Sequence, residues 1–121
     1  MQNPNELTEQ ELHNLAMNVV GEDLKSQGFD FLAVNSKLKK NPQFVVQKGK
    51  QMSFVLVRAI CFPEKLHNED KFLLDKVKAH AQKFDADLYY AEVGLGHAED
   101  MTKALVKGEP YSEIYQGLKK I

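Results

Sequence analysis

Apolar residues recur every three to four positions in the first quarter of the chain. Through the middle they recur every second position or in unbroken runs, so a helix precedes a set of strands. Leu12, Leu15, Ala16, Val19, Val20 and Leu24 fall on one face of a helix predicted over residues 9–27. Thr8 and Glu11 have the spacing of a capping box, and Leu7 and Leu12 that of a hydrophobic staple. Gly28 supplies the left-handed residue that closes the helix.

Three strands are expected next, over residues 29–35, 43–48 and 52–62. Lys48-Gly49-Lys50-Gln51 is short enough to turn a hairpin, because glycine takes positive φ without a Cβ clash. The third strand is the most apolar and belongs at the centre of the sheet with both faces covered. Pro63 ends it, Asn68 is the expected cap of a second helix, and Phe72, Leu73, Val77, Ala81 and Phe84 form that helix's stripe. Residues 88–93 then read as a fourth strand, parallel to the third through a right-handed βαβ crossover. A short helix over 99–107 closed by Gly108 and an edge strand over 111–116 complete the prediction. The expected class is α/β (α+β), with residues 1–121 as one domain around a mixed four-stranded sheet.

Composition removes several functions. With 43% apolar and 27% charged residues the chain is an ordinary globular protein. It has no run of about 20 apolar residues and no signal-peptide pattern at its start, so a cytoplasmic location is expected. Cys61, the single cysteine, excludes an internal disulfide or a cysteine-rich cluster and reads as a small buried hydrophobe. His13, His67, His80 and His97 lack metal-ligand spacing, and His80 reads as a partly buried structural imidazole; no metal or cofactor is expected. The net charge of −1 is unevenly distributed, because residues 31–63 contain no acid and six cations. Lys37, Lys39, Lys40, Lys48, Lys50 and Arg58 are therefore candidate phosphate-binding residues of a weak nucleic-acid-binding surface, or else they solvate strand edges.

Gly28-Phe29 leads to Asn35, and Pro42-Gln43-Phe44-Val45-Val46 leads through Gly49 to Phe54-Val55-Leu56-Val57-Arg58. On the α-β-β-β-α-β order, this frame resembles the restriction-endonuclease-like superfamily, whose active members carry a PD-(D/E)XK motif. It is most similar to the small Holliday-junction-resolvase-like branch, over about residues 9–93. The resemblance implies acids where this chain has Gln43 and Leu56, a lysine where it has Arg58, and a helix acid near Met17. Magnesium takes oxygen ligands at roughly 2.1 Å, which leucine and methionine cannot provide, and a guanidinium adds charge where the metal's would be needed. The frame thus implies a catalytically inactive domain that works as a binding or interaction module.

Two further readings stay open. Tyr89, Tyr90, Tyr111 and Tyr115 would line a subunit or protein contact on the late strands. Alternatively, the loop of Gly94, Leu95, Gly96 and His97 ahead of Glu99 and Asp100 would line a small-molecule or enzyme site at a strand C-terminus.

Overall fold

The structure, a computed structural model, describes residues 5–38, 40–61 and 64–121, so the expectations for Lys39 and Pro63 lie outside the described residues. Its elements are α1 (Glu9–Ser26), β1 (Asp30–Val34), β2 (Phe44–Lys48), β3 (Gln51–Cys61), α2 (Lys71–Gln82), β4 (Asp87–His97), β5 (Tyr111–Tyr115) and β6 (Lys119–Lys120). The strands lie in the order β1-β2-β3-β4-β5, with β6 beside β4. Antiparallel pairing joins β1 to β2, β2 to β3 and β4 to both β5 and β6, whereas β3 and β4 run parallel. The fold is α+β, with two helices and a mixed, open six-stranded sheet.

Side-chain alternation along β3 divides the core in two. Val55 and Val57 face α1 and pack with Ala16, Val20, Leu24, Val93 and Leu95. Phe54 and Leu56 face the other way and pack with Leu74, Val77, Leu88 and Tyr90 under α2. Residues as enclosed as Val20 and Leu24 contribute about 1.5–3 kcal/mol each through removal of apolar surface from water. Thr8 and Glu11 form the expected capping box, and Gly28 follows α1 at φ 87°.

Tertiary packing changes several sequence-based expectations. The second helix is capped by Asp70, whose carboxylate accepts from the Leu73 N–H, rather than by Asn68. Its buried stripe is Leu74, Val77 and Ala81. Phe72 lies two positions from that stripe, so it points away and is 84% exposed. Phe84 and His80 are also exposed, although both rings stack with Phe54.

The fourth strand does not end at Val93 but continues to His97, because β5 pairs with Val93 through His97. Gly94, Leu95 and Gly96 are therefore buried strand rather than loop. No helix forms over residues 99–107, where turns and a bridge from Val106 to Glu6 occupy the segment. Satisfying Leu7 N–H with the Leu105 carbonyl, and Lys107 N–H with that of Asn5, uses backbone groups that a helix would need.

Candidate functional site

Strands β2 and β3 part company at Gln43. β2 begins with Phe44 opposite Val55, yet β3 continues six residues further, to Cys61, with β4 on its other side. Gln43 bridges the split. Its N–H donates to the Val55 carbonyl, and its side-chain Oε1 accepts from Val57 N–H at 2.7 Å. A carboxamide thus takes the place of the next backbone step of the ladder. The Nε2 end donates to Asn41 Oδ1 at 2.7 Å and to the Lys40 carbonyl at 3.2 Å. With every polar function engaged, the side chain tolerates an exposure of only 2%.

Beyond that splint the edge of β3 opens onto a cavity of about 460 Å³. No strand among the described residues takes the neighbouring position, and the cavity wraps round the edge and touches both faces of the sheet. On the α1 face it meets Leu12, His13, Val57, Ala59 and Cys61; on the α2 face it meets Leu56, Arg58, Leu73, Leu74 and Tyr90. The loop between β1 and β2 closes one side with Leu38 and Asn41. That loop is tied to α1 by Gln10, which donates to the Ser36 carbonyl and accepts from Leu38 N–H.

Charge in the cavity is mixed. Arg58 pairs with Glu64 at 3.2 Å while both side chains remain largely solvated, so the pair adds little stability. Glu9 and Asp70 add further carboxylates to the lining. His13 is 4% exposed, and its Nε2 has no hydrogen-bond partner among the described residues. Burial lowers the His13 pKa from its ordinary value, favouring the neutral ring. Burial raises the Cys61 thiol, with Glu64 adding to the effect, so the thiol stays protonated and weakly reactive. Tyr90 is likewise pushed up by burial and by Glu92, to which its hydroxyl donates.

Three of the four motif positions meet on this cavity: Gln43, Leu56 and Arg58. Met17 does not, since it is 6% exposed inside the α1 core. The donor set misfits a magnesium ion: both amide ends of Gln43 are engaged, Leu56 offers methyl groups and Arg58 a cation. No group of three His, Cys, Asp or Glu side chains is arranged to hold a metal among the described residues. The six-cation segment divides in space. Lys37 and Lys40 are exposed on the loop beside the cavity, whereas Lys48 and Lys50 sit at the hairpin tip, where the Lys48 ammonium lies over the Phe29 ring. Seven residue steps along β3 separate Gln51 from Arg58, roughly 23 Å at the usual rise per residue.

The alternative sites are engaged in internal contacts. His97 is 5% exposed; its Nε2 lies 2.8 Å from Glu109 Oε2, and its Nδ1 accepts from Glu99 N–H. Both ring nitrogens thus fasten the 98–110 segment, and the ring has no lone pair left for a substrate in the adjoining cavity of about 370 Å³. Of the tyrosines, Tyr90 is buried, Tyr89 packs edge-on to Phe29, and Tyr115 donates to Asp23 Oδ2 at 2.5 Å. Only Tyr111 presents a largely exposed ring, at 42%.

Sequence reasoning did not find Glu9, His13, Asp70 or Tyr90 as cavity residues. They come from three other elements or their caps, and the only signal was His13 lying between Leu12 and Ala16 on the apolar side of α1. Residues 10–121 match a family model described as a domain of unknown function, DUF8840, and the chain belongs to that family. No curated protein matches the chain.

Proposed function

From a chain whose family has no assigned activity, we propose a catalytically inactive domain on a nuclease-like, PD-(D/E)XK-type frame, in which the position of the cutting site is a binding cleft. The supporting observation is the convergence of Gln43, Leu56 and Arg58 on one cavity at the split of the sheet, with side chains that cannot grip a divalent cation. A working site would need carboxylates at the first two positions. Here one is a splint between strands and the other is core.

The cleft suits a non-nucleic-acid partner better than DNA. Glu9, Glu64 and Asp70 stand in its lining, where they repel phosphate, and none of the described lysines lines it. A cytoplasmic setting, with its reducing conditions, fits the lone protonated thiol.

The test is a magnesium- or manganese-dependent cleavage assay on junction, flap and single-stranded DNA. No turnover is expected from the native chain. Cleavage that disappears in Arg58→Ala would refute the proposal. In parallel, titration of the same DNAs at low salt is expected to show no saturable binding. A salt-sensitive isotherm weakened by Lys37→Ala and Lys40→Ala would instead return the nucleic-acid reading.

A further inference from the structure

Strand alternation fixes which way the unpaired backbone of β3 points. Val55 C=O and Val57 N–H are directed toward Gln43, so the N–H and C=O of Ala59 and the N–H of Cys61 point to the same side, past the end of β2. The Cys61 carbonyl accepts from Glu64 N–H, which turns the chain away, and no strand lies beside Ala59 among the described residues. Bare strand edges are pairing templates unless they are covered. This one is sheltered within a cavity, flanked by apolar side chains on both faces of the sheet.

We propose that the cavity is a vacant strand position that accepts an extended peptide segment of about four residues, added edgewise to β3 between Val57 and Cys61. The inference rests on the reading of this cleft as a binding site. Two independent features select a peptide over a compact small molecule. The first is the backbone of Ala59 and Cys61, which offers donors and an acceptor at strand spacing, as an extended chain requires. The second is that the cavity reaches both faces of the sheet. Successive side chains of an added strand point alternately to the α1 face, against Leu12 and Ala59, and to the α2 face, against Leu56 and Leu74. Glu9 and Asp70 in the lining, with Arg58 already paired to Glu64, favour a neutral or basic peptide over an acidic one.

The experiment uses the full chain, ¹⁵N-labelled, titrated to millimolar concentration with a pool of acetylated, amidated tetrapeptides carrying Ala, Val, Leu or Lys at each position. The expected result is saturable shifts of the Ala59 and Cys61 amides and of the His13 ring. The same pool N-methylated at alternate amides keeps the side chains but loses strand hydrogen bonds, and is expected to bind at least about tenfold more weakly. Ala59→Pro removes one edge donor without touching the ladder to β4, and is expected to weaken the unmethylated pool alone. Unchanged spectra, equal affinity of the methylated pool, or shifts confined to the β1 edge would overturn the inference. So would a non-peptide small molecule retained in the cavity on native mass spectrometry. Metal-dependent DNA cleavage would remove the underlying reading as well, whereas absent cleavage with absent peptide binding removes the strand-vacancy inference alone.

Discussion

Replacing Gln43 with alanine isolates the splint between β2 and β3. The substitution strips the acceptor from Val57 N–H, which lies in a core strand where the residue is 4% exposed. Leaving such a group without a partner costs about 1–3 kcal/mol, and the two Nε2 hydrogen bonds to the 40–41 backbone and side chain add about 0.5–1.5 kcal/mol each. Lys40 and Asn41 are exposed, so water recovers part of the second loss, and the expected destabilisation is about 2–4 kcal/mol. Urea denaturation followed by circular dichroism measures it, with the slope m expected to stay constant.

Gln43→Glu separates the two ends of the side chain. It keeps the acceptor for Val57 but turns a donor into a second acceptor facing the Lys40 carbonyl and Asn41 Oδ1. At pH 7 it is expected to cost about 1–2 kcal/mol. Burial raises the folded-state pKa of the new carboxyl, so the folded form binds its proton more readily and the deficit shrinks as the pH falls toward 4. A loss below about 0.5 kcal/mol in Gln43→Ala, or a Glu variant whose deficit grows in acid, would refute the splint.

Four other outcomes are expected. Because the folded state depresses the His13 pKa, its contribution is fully present above about pH 6.5 and is lost as the pH falls below that value. His13→Phe should therefore flatten the stability profile between pH 7 and 5, and an unchanged slope would show that His13 is solvated. Leu56→Glu introduces a carboxylate into a position that is 3% exposed and should cost at least about 3 kcal/mol at pH 7; restoration of stability by millimolar magnesium would mean that the site still accepts a metal. Gly96→Ala places a Cβ against the Met101 sulfur, which must move, and Met101→Ala should relieve the resulting loss in a double-mutant cycle; additive effects would contradict the contact. Tyr115→Phe removes the hydroxyl that binds Asp23 and should cost about 1–2 kcal/mol by urea unfolding, with no loss expected only if that contact is solvated away.

Much of the architecture was legible because local and global preferences agree. α1 combines a capping box, an apolar stripe and a closing glycine; Gly49 turns the β2–β3 hairpin at φ 62°; and β3 is apolar enough to be central. Where tertiary partners decide, the sequence misled. Gly94 and Gly96 carry loop-forming propensity, yet they are strand because β5 pairs with them, and at Gly96 Met101 occupies the space that a side chain would fill. Phe72 and Phe84 were placed in the core by hydrophobicity alone, while α2 turns a narrower stripe inward. The cavity was half legible. Gln43, Leu56 and Arg58 came from the resemblance of one hairpin to the nuclease-like motif frame, but His13 and Asp70 meet them only because both helices bring their N-terminal turns to the same end of β3.

The bond between Tyr115 and Asp23 joins residues 92 positions apart, and α1 also rests on β3 and β4. A ribosome adding roughly 5–20 residues per second would release the helix several seconds before Tyr115. Until β3 and β4 have followed, Val20 and Leu24 lack the Val55, Val57 and Val93 side chains that later cover them. The nascent chain is therefore exposed to self-association and to chaperone capture at α1, and assembly of the sheet, with its distant pairings, should be slower than that of a helical bundle of equal size.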